Sequence, residues 1–259
     1  MVDPTRGVLY PARLPEFHRL PATGSAADLV AWFWIPEWDL APGRSSRQHV
    51  AGYPALNLVV EAEGVAISGP TTRASHRDLR GRGWAVGALL RPAAVPGLGV
   101  EPHTLIDAEA PFAAPDLHAA VSAAMTRGDE RRERAVEAFS AWLERRVGPV
   151  GPAGRQANAL SDVLLGAGAA STPEEAAARL AVSVRTLQRL AHRTVGVSPG
   201  AMIRRRRLQD AAEMLRRDPG VDLATVAAGV GYADHAHLTR DFRAVLGTAP
   251  RVYRAEAGG

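Results

Sequence analysis

Cysteine and lysine are both missing from this 259-residue chain. Without cysteine there is no disulfide, no zinc finger, no thiol nucleophile and no thiol redox sensor. Without lysine, all 31 cationic side chains are arginines. A GC-rich coding bias produces such a composition. Its physical consequence stands whatever the origin: planar guanidinium forks match phosphates and guanine edges. No apolar run reaches the length of a membrane-spanning helix, so no membrane partner is expected. The start, MVDPTRGVLYPARLPEF, lacks the charged start, apolar run and cleavage site of a secretory signal, and a cytoplasmic location is the expectation. No Gly-x-Ser-x-Gly nucleophile motif occurs. His18, His49, His76, His103 and His118 are scattered, with no H-x-H or H-x₃-H pair among them. Neither an enzyme, nor a bound metal, nor a cofactor is therefore expected.

What is present points to two folded regions. The apolar fraction of 46% is ample for a buried core. The net charge of +4 is a weak hint of a polyanionic partner, and the location of the charge matters more than its sum. Residues 1 to about 110 are rich in Gly, Pro and aromatics, including Trp32, Trp34, Trp38 and Trp84. Short β-like runs, Val30 to Pro36, Leu56 to Ala62, Val65 to Ser68 and Trp84 to Leu90, are punctuated by Gly and Pro. After Pro115 the pattern turns helical, over Asp116 to Thr126, Asp129 to Val147 and Gly154 to Gly168. Helical packing between two domains accounts for these segments; a dimer interface on the 129–147 helix is the alternative. The fold expected is α+β: a mainly antiparallel β domain over 1–112, a helical connector over 113–152, and an all-α domain over 153–259.

The last roughly 90 residues carry the chemistry. Ser171-Thr172-Pro173-Glu174-Glu175 reads as a helix start, with hydroxyl caps, proline in the first turn and acids near the positive dipole end. A short helix to Leu180, a tight turn at Ala181-Val182-Ser183 and a second helix over Val184 to Thr194 form a helix-turn-helix, with Ala177 small at the crossing. Arg185, Gln188 and Arg189 then share one exposed surface. Arginine can pair with guanine O6 and N7, and glutamine with adenine N6 and N7. The pattern repeats: Asp222 caps a helix, Gly231 turns, and Tyr232, Leu238 and Phe242 take core places. The exposed side of that second reading helix carries His235, His237, Thr239, Arg240 and Arg243. One long helix joins the units from Ser198-Pro199 to Leu215, a rigid spacer holding the two reading helices about one duplex turn apart. Its run Arg204 to Arg207 cannot all face one way. Some of the four are expected to meet phosphates and some to pair with acids such as Asp210.

The segments LAVSVRTLQRLAHRTVGVSPGAMIRRRRLQDAAEMLR and LATVAAGVGYADHAHLTRDFRAVLGTAPRVYR resemble the C-terminal DNA-binding domain of the AraC/XylS family of bacterial regulators. The resemblance covers about a third of the chain. It implies two helix-turn-helix units reading a double-stranded DNA operator, with Arg185, Gln188 and Arg189 in the first and His235, His237, Thr239 and Arg240 in the second. Two positions depart from the family pattern: Ala181 stands where a turn glycine is usual, and Ala191 where an aromatic is usual. Both departures loosen the first unit on this reading.

The N-terminal text HVAGYPALNLVVEAEGVAISGPTTR and LRGRGWAVGALLRPAAVPGL resembles a domain found in a subset of such regulators. The resemblance implies a small-molecule effector, pairing into a homodimer, or both. RNA polymerase is a further candidate partner of the whole regulator. Trp32, Phe33, Trp34 and Trp38 can line an apolar cavity, with Arg73 or Arg91 as a cation for an anionic effector; Trp32, Trp34 and Arg91 are the effector-binding candidates. The competing reading is an ordinary strand with alternating faces. An architectural DNA binder without sequence preference is the second functional reading. A cysteine-dependent alkyl-transfer repair enzyme is ruled out by composition.

Overall fold

The computed structural model describes residues 16–50, 52–126 and 128–257. Most of the N-terminal stretch read for a secretory leader lies outside them. The first region is a six-stranded antiparallel sheet. In chain order its strands are β1 (Glu16–Leu20), β2 (Val30–Asp39), β4 (Asn57–Glu61), β5 (Gly64–Ser68), β7 (Arg82–Leu90) and β8 (Glu109–Pro111), and in space they run β1-β2-β7-β4-β5-β8. A separate two-stranded ribbon pairs β3 (Ser45–Val50) with β6 (Ser75–Arg80).

The inner strand β2, next to the β1 edge, shows how the sequence divides its faces. Side chains alternate along a strand, so Phe33 and Ile35, both fully buried, point to the core. Trp32, Trp34 and Trp38 point the other way and are half-buried. They need room on neighbouring β7, and glycine supplies it. Trp34 lies opposite Gly87 and Trp38 opposite Gly83. A Cβ on Gly87 would fall 2.0 Å from the Trp34 ring, and one on Gly83 2.3 Å from Trp38.

Under the core face lie α2 (Pro115–Met125) and α3 (Arg131–Val147), after a short helix α1 (Val95–Leu98). Leu117, Val121, Ala135, Phe139 and Leu143 share one apolar cluster with Phe33, Leu58, Val60 and Val86 of the sheet. The rings of Phe33 and Phe139 stand 5.5 Å apart. Each large side chain buried there contributes on the order of 1.5–3 kcal/mol. The buried Trp142 indole donates to Asp116 Oδ2 at 2.8 Å. Residues 115–147 thus pack as the second layer of the sheet domain. The apolar face of 129–147, read as an inter-domain or dimer surface, is spent inside its own chain.

The second region is all helix: α4 (Pro152–Leu165), α5 (Pro173–Arg179), α6 (Val184–Thr194), α7 (Pro199–Arg217), α8 (Leu223–Gly229), α9 (His235–Leu246) and α10 (Pro250–Ala257). It holds two cores. One gathers Leu160, Leu164, Ala176, Ala177, Leu187, Ala191 and Ile203. The other gathers Leu208, Leu215, Val226, Tyr232, Leu238, Phe242 and Tyr253. Helix α7 contributes to both, its N-terminal half to the first and its C-terminal half to the second. Among the described residues, no helix is long and apolar enough to cross a membrane.

Candidate nucleic-acid interface

The two helix pairs, α5 with α6 and α8 with α9, are built on one backbone design. In the first turn the Ala181 N–H donates to the Ala178 carbonyl at 3.1 Å, and the Val182 N–H to that of Ala177 at 3.0 Å. In the second, Gly231 donates to Ala228 at 3.1 Å and Tyr232 to Ala227 at 2.8 Å. Both turns pass through a left-handed residue. Gly231 sits there at φ +77°, and Ala181 is held at φ +52°. Only glycine adopts that region without a Cβ penalty, so the first turn carries strain that the second does not.

Every helix that matters here has a side-chain cap. Thr172 Oγ1 accepts from the Glu175 N–H at 3.1 Å, while the Glu175 carboxylate accepts from the Ser171 N–H at 2.7 Å. Ser183 Oγ accepts from Thr186, Ser198 Oγ from Ala201, and Asp222 Oδ2 from Ala224. Asp234 Oδ1 accepts from the His237 N–H at 2.7 Å. That N–H holds the Asp234 carboxyl below its usual range, against a smaller opposing effect of desolvation.

These caps fix where the exposed faces point. On α6, Arg185, Gln188 and Arg189 are exposed, followed by His192 and Arg193. On α9, His235, His237, Arg240 and Arg243 are exposed, and Thr239 is half-buried. Aligned from their caps, Arg189 and Arg240 occupy equivalent places, as do Gln188 and Thr239. His237 stands edge-on to the Tyr232 ring at 5.1 Å, and the Tyr232 hydroxyl donates to Asp241 at 3.0 Å. Burial and the Asp241 carboxylate both push the Tyr232 phenol up, so it stays a neutral donor.

The arginine run divides as expected in one respect, an Arg206–Asp210 ion pair at 3.8 Å, and differently in the others. Arg204 is exposed. Arg205 and Arg206 are buried, at 3% and 9% exposure. Arg206 donates to the carbonyls of Leu164 and Ala170, both at 2.9 Å, with Asp210 farther away at 3.8 Å. Arg207 donates to the Ser171 carbonyl at 2.9 Å. Three of the four therefore bind backbone carbonyls, which a run of charge in a sequence does not announce. Charge is nonetheless concentrated in this region. Residues 153–259 hold 15 arginines against 10 acids, and residues 1–152 hold 16 against 17.

The effector candidates are placed as follows. Trp32 meets Tyr53 edge-on at 4.7 Å, with the Arg19 guanidinium over its ring at 4.7 Å. The Trp34 indole donates to Asn57 Oδ1 at 3.0 Å. Arg91 is bonded to Asp162 of α4 at 2.8 Å, across the seam between the two regions. Phe33 does not join the tryptophans, because the alternation of the strand turns it to the core. Glu16, His18 and Glu37 come close enough to hold an ion. Arg131 and Arg132 already bind Glu37, and Arg132 also binds Glu16. Desolvation raises the Glu37 carboxyl, but those hydrogen bonds outweigh it and keep it below the usual carboxylate value. The cluster is an ion-pair network tying α3 to β1 and β2.

Two capped helix pairs on one shared helix define a double helix-turn-helix protein. Comparison with known proteins makes the assignment more specific. Residues 176–256 match the family described as "Helix-turn-helix domain", and residues 18–110 match a "Domain of unknown function (DUF6597)". Two curated proteins, from Streptomyces antibioticus and Streptomyces lividans, each carry the provisional name AraC-like transcription regulator. Each is 35% identical over 122 residues, which is 47% of this chain. The chain spans 38% of the length of those relatives. The C-terminal domain is of the AraC type. Among solved structures, ToxT of Vibrio cholerae O395 gives a TM-score of 0.42 at 10% identity, over 94% of this chain and 97% of that one. Unsaturated-fatty-acid-bound ToxT from strain SCE256 gives 0.45 at 11%, over 86% and 94%. At those scores neither carries weight for this chain.

Proposed function

We propose that this chain is a sequence-specific, double-stranded-DNA-binding transcription regulator acting in the cytoplasm rather than an enzyme. Helices α6 and α9 enter adjacent major grooves. Arg185, Gln188 and Arg189 read bases in the first, and His235, His237, Thr239 and Arg240 in the second. One observation carries this reading: two helix-turn-helix units with the same turn hydrogen bonds stand on one rigid helix, both with exposed arginine-bearing faces. The labour divides between a sensing or pairing region over 1–112, whose core the helices of 113–152 complete, and the DNA-binding region over 153–259. The first region modulates binding through a small molecule or a second copy of the chain, and RNA polymerase is the further partner.

The test is binding of the intact chain to an enriched duplex and to random duplex in parallel. A regulator prefers its site by a factor of roughly 10³ or more. Equal affinity for both would identify an architectural binder. Arg240→Ala is expected to weaken binding to the enriched site and to relax preference at one position. Equal loss on random DNA would move Arg240 to a phosphate contact.

A further inference from the structure

Among the described residues Arg205 is the most buried cation, and its acceptors lie on three separate segments. Nε donates to the Gly52 carbonyl at 2.8 Å, Nη2 to Thr71 Oγ1 at 3.0 Å and Nη1 to the Val245 carbonyl at 3.1 Å. Gly52 and Thr71 belong to loops of the sheet domain. Val245 is the penultimate residue of the second reading helix α9. Its carbonyl is one of the last four of that helix, which lack an intrahelical donor and carry the negative end of the dipole. A guanidinium there is well placed electrostatically.

All three acceptors are neutral. Burial pulls the Arg205 guanidinium down to about 10, with Asp107 opposing at longer range, so it remains charged at neutral pH. Placing a charge there is costly, and a planar fork returns that cost only when each acceptor lies in its own fixed direction. The surroundings are tight. A Cβ on Gly52 would fall 2.6 Å from Thr71 Oγ1. Gly247, which ends α9, sits so close to Ala74 that a Cβ there would meet it at 2.7 Å. Arg206, the next residue, is bonded to Leu164 and Ala170, both on the side of the first unit. The two adjacent arginines thus serve opposite units, and only Arg205 also holds the sheet domain.

We propose that Arg205 is a positioning residue for DNA reading: it fixes the pose of α9 on α7 and, through Gly52 and Thr71, lets the sheet domain set the separation of the two reading helices. This rests on the DNA-reading function proposed above. Arg205 itself touches no base. A movement of the 52 or 71 loop reaches α9 through Arg205 and through the contact of Ala74 with Gly247, while α6 is held by the other end of α7 and by His103, whose ring stacks on His192 at 5.1 Å.

The test is selection by the full chain from duplexes carrying about 30 base pairs of random sequence, room for two elements a helical turn apart. The unaltered chain is expected to enrich two short elements at one separation. Arg205→Lys keeps the charge and the stem but replaces the fork by a point charge. Thr71→Val removes one acceptor on the sheet domain, with no change in the helical region. Both are expected to retain the two elements but accept separations differing by a base pair or more, with a roughly tenfold loss at the original separation for the lysine variant. A purely structural role would lower the melting temperature and leave the selected separation alone. If Thr71→Val and any folded Arg205→Lys return the original single separation, the proposal is overturned. Should the lysine variant fail to fold, Thr71→Val decides alone by the same criterion. A parent chain that enriches no element overturns the DNA-reading function and this proposal with it.

Discussion

The first and second helix-turn-helix units share a turn and differ in how that turn is maintained. In the second unit, Gly231 takes the left-handed position and Phe242 fills the core against Tyr253 of α10, ring to ring at 5.7 Å. In the first, Ala181 is forced into the same conformation, and fully buried Ala191 stands where Phe242 stands in the other. Leu160 and Leu164 of α4 join the core of the first unit, as Tyr253 of α10 joins that of the second. One backbone design is therefore supported by a flanking helix before the first pair and by another after the second. The alanines do not leave the first unit open; α4 supplies volume that the unit's own sequence does not.

The largest effect is expected from breaking the aromatic core. Phe242→Ala should cost about 3–5 kcal/mol in chemical denaturation, as large buried aromatics do. The reverse change in the first unit, Ala191→Phe, should also destabilise, by roughly 1–3 kcal/mol, because α4 already occupies the space. A stabilising Ala191→Phe would mean that the first core is underfilled. Next comes reading. Arg189→Ala and Arg240→Ala occupy equivalent places and should each weaken specific binding by roughly 1–3 kcal/mol. A loss confined to one of them, measured by fluorescence anisotropy, would show that the units insert unequally.

Turn chemistry ranks below these. Gly231→Ala should destabilise by about 1–2 kcal/mol, the Cβ penalty at positive φ. Ala181→Gly should do the opposite, with a gain reduced to roughly 0.5–1 kcal/mol by the extra unfolded-state entropy of glycine. Thermal melts of the two variants check the pair, and shifts of the same sign would contradict the account of the turns. The smallest expected difference is in acid sensitivity. Helix α9 is capped by the carboxylate of Asp234, and α6 by the hydroxyl of Ser183. The folded Asp234 carboxyl lies below its ordinary 3.8. Its stabilisation is therefore complete above that value and is lost as pH falls through the lower folded one. Amide exchange below about pH 4 should open the first turn of α9 before that of α6. Equal opening would show that the cap carboxylate is not the acid-sensitive element.

How much was legible follows from what each element displays. Strands β2, β4, β5 and β7 could be read because their apolar residues form runs between Gly and Pro. The ribbon of β3 and β6, SSRQHV against SHRDLR, could not, because neither face carries an apolar pattern. Strands β1 and β8 are short edges with the same difficulty. Helices 115–125 and 131–147 were visible as helices, but their partner was not: periodicity shows an apolar face and not what covers it. In the helical region the caps, turns and exposed faces were readable because they depend on local residue chemistry. The burial of Arg205 and Arg206 was not, since most of their acceptors are backbone carbonyls, and those of Arg205, the Thr71 hydroxyl among them, lie on three distant segments. The alternation of β2 correctly separated Trp32 and Trp34 from Phe33, and Arg91 found its partner in Asp162 across the seam.

The central claim is that both units read one duplex. Its most direct test is the salt dependence of duplex binding for the intact chain, set beside the sequence it selects. The prediction is a bipartite motif with elements about one helical turn apart, and an affinity falling with log salt by roughly 0.9 for each phosphate contact made. Absence of salt-sensitive duplex binding, or a motif with one element only, would contradict it.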